Sequence, residues 1–110
     1  MYNKELLKGS TNTILLSLLA ERSMYGYEIV KELELKSSGY FRFKEGTLYP
    51  ALHRLERDKL VAGNWTQTQN GQQRRYYLIT EKGKEALESM LKEWSMFYRA
   101  VNRVAQAGAV

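Results

Sequence analysis

From Leu87 onward the large apolar side chains fall at Leu87, Leu91, Trp94, Tyr98, Val101 and Ala105, in steps of four and three, with Met90, Phe97 and Val104 widening the same side. A strict heptad held over this length is a helix-pairing signal. Fully burying each larger member is worth about 1.5–3 kcal/mol, and a chain of 110 residues is one domain with a modest core. That core has too little surface to cover the whole stripe. The spacing therefore predicts a long C-terminal helix over residues 81–110 that pairs with a second copy of the chain through Leu87, Leu91, Trp94, Tyr98 and Val101. The alternative is a stripe folded back on the first helix of the same chain. Thr80-Glu81-Lys82-Gly83 opens the helix, with Thr80 as the cap and an early acid at its positive end.

Everything before this helix reads as a small mixed unit over residues 1–80, one compact domain with the helix that follows. Leu6, Leu7, Ile14, Leu15, Leu18 and Leu19 recur at helical spacing from about Asn3 to Ala20, interrupted by Gly9-Ser10-Thr11-Asn12. Of the two possibilities, one helix with a weak middle or a short helix followed by a capped one, the single helix is the expectation. A polar connection, Glu21-Arg22-Ser23-Met24, leads to a second helix with Ile29, Val30 and Leu33 inward and Glu28, Lys31 and Glu32 toward water. Ser37-Ser38-Gly39 ends it. After Val61 the period changes to two, and strands from Trp65 to Thr68 and from Gln73 to Ile79 flank Asn70-Gly71, a strong short-range hairpin signal.

Between the second helix and the hairpin lies the stretch from Lys44 to Leu60. Leu48, Ala51, Leu52 and Leu55 gather in one arc at helical spacing, which docks the helix on a core. The opposite arc holds Tyr49, Pro50, His53, Arg54 and Arg57. An aromatic, an imidazole and two guanidiniums are a poor choice for mere solubility, where Glu and Lys serve better. They suit the major groove of double-stranded DNA, because Arg and His donate to guanine edges and phosphates and Tyr reaches a phosphate oxygen. Pro50 disfavours α geometry at Tyr49 and lacks an N–H, so it either kinks or tightens the first turn or marks the start of the helix. Phe41-Arg42-Phe43-Lys44 is expected to run extended into it, with Lys44 placed for a phosphate. Arg74 and Arg75 stand just past the hairpin turn, as a wing on the backbone requires, although charged residues also protect edge strands.

The charge distribution agrees with this division. Residues 40–77 carry seven basic and three acidic side chains, so this third holds most of the net charge of +5. A local excess on two elements is the electrostatic footprint of a polyanion-binding protein. Two helices, a basic third and a hairpin define a winged helix-turn-helix in a mainly α, α+β fold.

Three separated motifs carry a family resemblance. Gly46-Thr47-Leu48-Tyr49-Pro50-Ala51-Leu52-His53-Arg54-Leu55-Glu56 resembles the signature of the PadR family of bacterial transcriptional regulators, Tyr25-Gly26-Tyr27-Glu28 resembles its second-helix motif, and Gly71 to Gly83 is similar to its wing and exit. The likeness spans nearly the whole chain. Lys59 stands where the family usually has Gly, and Gln73 where it has Pro. The resemblance implies a DNA-binding regulator, with the short-tailed members dimerising through the last helix while the first helix packs across the partner. It further implies, from members with a similar Trp at this point, that Trp94 with Met90, Phe97 and Tyr98 lines a slot between the two copies for a small aromatic effector. The residues alone leave a second outcome open, in which the same bulky neighbours fill the space.

Other classes find little support. A single His53 has no second ligand at metal spacing, and there is neither nucleophile elbow nor phosphate loop, so no catalytic residue, metal or cofactor is expected. The absence of Cys fits a reducing cytoplasm. The apolar run from Ile14 to Ala20 is too short to span a bilayer, so no membrane partner is expected. The expected protein is a homodimeric, sequence-specific repressor with Lys44, Thr47, Tyr49, Pro50, His53, Arg54, Arg57, Arg74 and Arg75 on DNA, released by an effector. The alternatives are an aromatic-compound or multidrug sensor, and a winged helix for protein contacts alone, which would need an apolar patch on the third helix.

Overall fold

A computed structural model describes residues 10–108, and of the side chains those up to Gln106. In chain order the elements are α1 (Thr11–Leu19), β1 (Met24–Tyr25), α2 (Gly26–Lys36), α3 (Glu45–Arg57), β2 (Val61–Gln67), β3 (Gln73–Ile79) and α4 (Glu81–Gly108). Helix α1 begins at Thr11, with Ser10 in the capping position. The expected single helix through Ser10 is thus corrected, and its portion before Ser10 lies outside the described residues. Ser competes with a helix by bonding nearby backbone and favours its ends.

The core is made where the arcs read from the sequence meet. Leu15 and Leu16 of α1, Ile29 and Leu33 of α2, and Leu48, Ala51, Leu52 and Leu55 of α3 are all buried, with Met24, Phe43, Val61, Tyr77 and Ile79 closing the cluster. Leu87 of α4 belongs to it at 8% exposure, and Met90 packs against it. Leu87, expected at a dimer interface, is buried within its own chain, and α4 also packs on α1.

Met24 and Tyr25, expected in or beside a polar connection, add a third strand. They pair antiparallel with Tyr77 and Tyr76, giving the order β1-β3-β2. On the other side β2 pairs with β3 from Val61↔Ile79 to Gln67↔Gln73. Three residues form the hairpin loop between Thr68 and Gln72, with Asn70-Gly71 inside it as expected. Thr68 donates to the Gln72 carbonyl at 2.7 Å and Gly71 to the Thr68 carbonyl at 3.0 Å. Gly71 has φ +81°, and Asn70 is not among the residues with positive φ. One glycine in the left-handed region after a turn is the three-residue solution with a bulge, which needs only Gly71 to be special.

Helices α2 and α3 end alike. Gly39 donates to the Glu34 carbonyl and Ser38 to that of Leu35, while Leu60 donates to Leu55 and Lys59 to Glu56. These are paired Schellman bonds, which place a left-handed residue just past the helix. Ser38 (φ 53°) and Lys59 (φ 63°) occupy those positions. Thr80 caps α4 as expected: its hydroxyl accepts the Gly83 N–H at 3.0 Å and donates to the Lys59 carbonyl at 2.8 Å. The wing, the end of α3 and the start of α4 are thereby joined at one corner.

Candidate nucleic-acid interface

Helix α3 starts from an extended Lys44 with φ −100° and ψ 160°. Thr47 and Leu48 both donate to the Lys44 carbonyl, at 3.0 and 2.9 Å, so the first turn is tight. Pro50 lies inside the helix rather than at its start. It withholds the N–H that Gly46 would otherwise receive, and the tight turn before it accommodates the proline.

Burial divides α3 as its period implies. Thr47, Pro50, His53, Arg54 and Arg57 are exposed on the side opposite the four core residues. From Thr47 to Arg57 this ridge runs about 15 Å at 1.5 Å per residue, comparable with a major groove about 12 Å wide. Among the described residues the side chains of Lys44 and Arg54 form no ion pair or hydrogen bond. Arg57 meets only the neighbouring Asp58, at 3.5 Å and with its side chain 70% exposed.

Tyr49 departs from the expected exposed arc. It is half-buried and packs on the core, and a Cβ on Gly26 would lie 2.2 Å from its hydroxyl oxygen. The Tyr49 ring therefore fills the contact between α3 and the start of α2, and the His53 ring centre is 6.4 Å away with the planes tilted by 40°. Glu28 holds that start in place by accepting the Tyr25 N–H at 3.2 Å and pairing with Arg22 at 3.3 Å.

The two wing arginines, grouped together on sequence, are separated by the pleat. The Arg74 guanidinium lies 4.4 Å from the centre of the Tyr25 ring, and Tyr25 meets Tyr76 edge-on at 5.4 Å. Arg75 faces the other way and pairs with Glu56 of α3. Alternation along β3 carries this result, since Tyr77 and Ile79 share the inner face with Arg75. Neither the Tyr25 pairing nor the Glu56 partner was legible: a two-residue strand has no period, and a lone Glu between Arg54 and Arg57 reads as helix surface.

Beyond Met90 the α4 stripe is uncovered. Leu91, Trp94, Phe97, Tyr98 and Val101 are between 44% and 66% exposed. Trp94 stacks on Tyr98 with ring centres 5.1 Å apart and planes at 7°. Leu91 and Trp94 also form one wall of an open groove of about 440 Å³, whose other walls include Ile14, Leu18, Leu33 and Phe41. Among the described residues no helix is long and apolar enough to cross a membrane.

Residues 15–89 match the transcriptional regulator PadR-like family. A transcriptional regulator of Mycobacterium tuberculosis is 33% identical over 84 residues, 76% of this chain and 75% of that one. A transcriptional regulator from Clostridium thermocellum superposes with a TM-score of 0.83 at 33% identity, covering 90% of this chain and 96% of that one. A PadR-like transcriptional regulator from Bacillus cereus gives 0.80 at 33% identity, covering 93% and 97%. The chain thus belongs to the PadR-like family of transcriptional regulators and is a DNA-binding winged-helix protein.

Proposed function

We propose that the protein is a homodimeric, sequence-specific repressor that reads an operator with the exposed face of α3. His53, Arg54 and Arg57 enter the major groove with Thr47 and Pro50 alongside, while Lys44 and Arg74 hold phosphates on either side. The observation that carries this reading is the exposed ridge on α3, where cations without strong internal partners stand opposite a fully buried apolar arc. Tyr49 supports the ridge from beneath. The uncovered stripe of α4 supports pairing of two copies, and two-fold symmetry then requires half-sites about one helical turn apart. The part over residues 1–80 reads DNA in this scheme and α4 assembles the dimer, with Leu87 and Met90 tying the two together. Footprinting of the purified protein on DNA upstream of its own gene tests the reading. Two protected half-sites with that spacing are expected, and protection no better than on random DNA would remove it.

A second layer is favoured by one feature. The parallel stack of Trp94 on Tyr98, half-exposed on the pairing face, is a platform on which a flat aromatic effector gains stacking and burial. Such a ligand between two copies changes how the pairing helices meet and releases the operator. Met90 and Phe97 flank the platform, and Met adapts readily to a guest. In a Trp65→Phe variant Trp94 is the only indole, so planar cationic dyes should quench its fluorescence and lower operator affinity together. Quenching without change in affinity, or no quenching, removes the effector.

A further inference from the structure

Arg75 reaches across the sheet to α3. Its guanidinium pairs with the Glu56 carboxylate, and both side chains are 28% exposed. The same group stands 5.6 Å from the centre of the Trp65 ring on β2 and 5.8 Å from that of Tyr77 on β3. Both strands of the wing and the reading helix therefore meet on one cation. Gly63 leaves the path open, since a Cβ there would lie 2.6 Å from the guanidinium carbon. Burial pushes the Tyr77 phenol above its ordinary pKa while the Arg75 charge pulls it down, as expected of a guanidinium held close to that ring.

The position of this contact gives it a role. From Asn64 to Gln67 every residue of β2 is exposed, so apolar packing on α3 ends before the outer half of the hairpin. The Arg75–Glu56 pair ties that half to the helix. We infer that Arg75 is a positioning residue, clamped to Glu56 under Trp65, which sets the angle of the wing to α3 so that Arg74 meets a phosphate when α3 sits in the groove. The inference rests on the reading that α3 and the wing touch one DNA. It reassigns Arg75 from a phosphate contact to an internal brace, and it gives Glu56, an acid facing a polyanion, a reason to be there.

The two roles predict opposite behaviour. As a brace, Arg75→Gln and Glu56→Gln should each lower operator affinity about tenfold, and the double variant should be no worse than either, because both break one contact. The dependence of log affinity on log salt should keep its slope. As a phosphate contact, Arg75→Gln should flatten that slope by about 0.9 per subunit, and Glu56→Gln, which removes a negative charge, should leave binding unchanged or tighten it; either outcome overturns the inference. Gly63→Ala guards against a simple folding defect. Its methyl displaces only the far end of a flexible side chain, so the melting temperature should stay near that of the parent while operator affinity falls as in Arg75→Gln. Full affinity in Gly63→Ala overturns the brace. A DNA-free measurement separates this from the wider reading: in a Trp94→Phe background Trp65 is the only indole, and Glu56→Gln and Gly63→Ala should both shift its emission. An unmoved spectrum sinks the brace alone, whereas a parent protein that fails to protect DNA sinks the operator reading, and with it the role of the brace in placing Arg74, even if the spectrum moves.

Discussion

The two halves of α4 are written in the same residues and sit in opposite surroundings. Leu87 is 8% exposed within a cluster that includes Leu15, Leu52 and Ile79, while about three turns later Phe97 is 66% exposed, and farther on Val104 is 76% exposed. One heptad thus does two jobs. Its first turns complete the core of the winged helix, and the remainder, along a helix of 28 residues, leaves its apolar stripe largely exposed among the described residues. Period measures which side of a helix is apolar and says nothing about what covers it. Helix α3 shows the converse, since its apolar arc is fully covered and its polar arc is the conspicuous part.

The largest expected effect tests whether the two halves are energetically separate. Leu52→Ala removes side-chain volume from a position that is 0% exposed and should cost about 2–5 kcal/mol of stability. Val104→Ala should leave the stability of a single chain within about 0.5 kcal/mol, as surface changes do. Denaturant titrations at low protein concentration compare the two. A similar loss in both would mean that the distal helix is covered within one chain.

Next comes assembly. Val101→Glu puts a charge on the exposed stripe, far from the core, so the chain should stay folded and sediment as a monomer at micromolar concentration, where the parent should sediment as a dimer. Operator affinity should fall at least about tenfold, because linking two half-sites raises avidity by orders of magnitude. A parent that already sediments as a monomer would break the comparison at its exposed end.

A third test divides the DNA face. Arg57→Gln should cost about 1–3 kcal/mol on the operator and relax preference at one base pair. Arg74→Gln should weaken operator and random DNA alike and flatten the salt slope. Equal losses on both DNAs for Arg57→Gln would reduce α3 to a backbone contact.

How much of this was legible follows from the range of each signal. Arcs of period 3.6 placed Leu48, Ala51, Leu52 and Leu55 inside and His53, Arg54 and Arg57 outside, and local chemistry placed the Thr80 cap. What escaped depends on contacts distant in sequence. Nothing near Tyr49 says that Gly26 leaves room for its ring, nothing near Met24 says that Tyr77 pairs with it, and nothing in Arg74-Arg75 says that only one has Glu56 within reach. The boundary at Ser10 was within range, but helical spacing on both sides outweighed the capping chemistry between. Whether α3 begins before Pro50 stays open in the sequence, because a proline is compatible both with a tightened first turn and with a later start.

The smallest expected effect lies at the corner where α3 hands over to the wing. Lys59 has φ 63° and follows the helix whose last bonds are Leu60 to Leu55 and Lys59 to Glu56. Left-handed geometry costs a residue with a Cβ about 1–2 kcal/mol, and this is the position where the family resemblance expects Gly. The backbone carbonyl of Lys59 is used, accepting from the Thr80 hydroxyl at 2.8 Å, while its side chain is exposed. Lys59→Gly should relieve the backbone cost but enlarge the freedom of the unfolded chain, which takes back about 0.4–1 kcal/mol. The net is a gain of about 0.5–1 kcal/mol, a rise of a few degrees in melting temperature for a chain of this size. The Schellman bonds and the Thr80 contact are kept, so the wing should not move and operator affinity should change only by the loss of one exposed charge. A fall in melting temperature would show that the Lys59 side chain stabilises the corner by more than its backbone costs, and would make this departure from the family a working part of the junction between α3 and the wing.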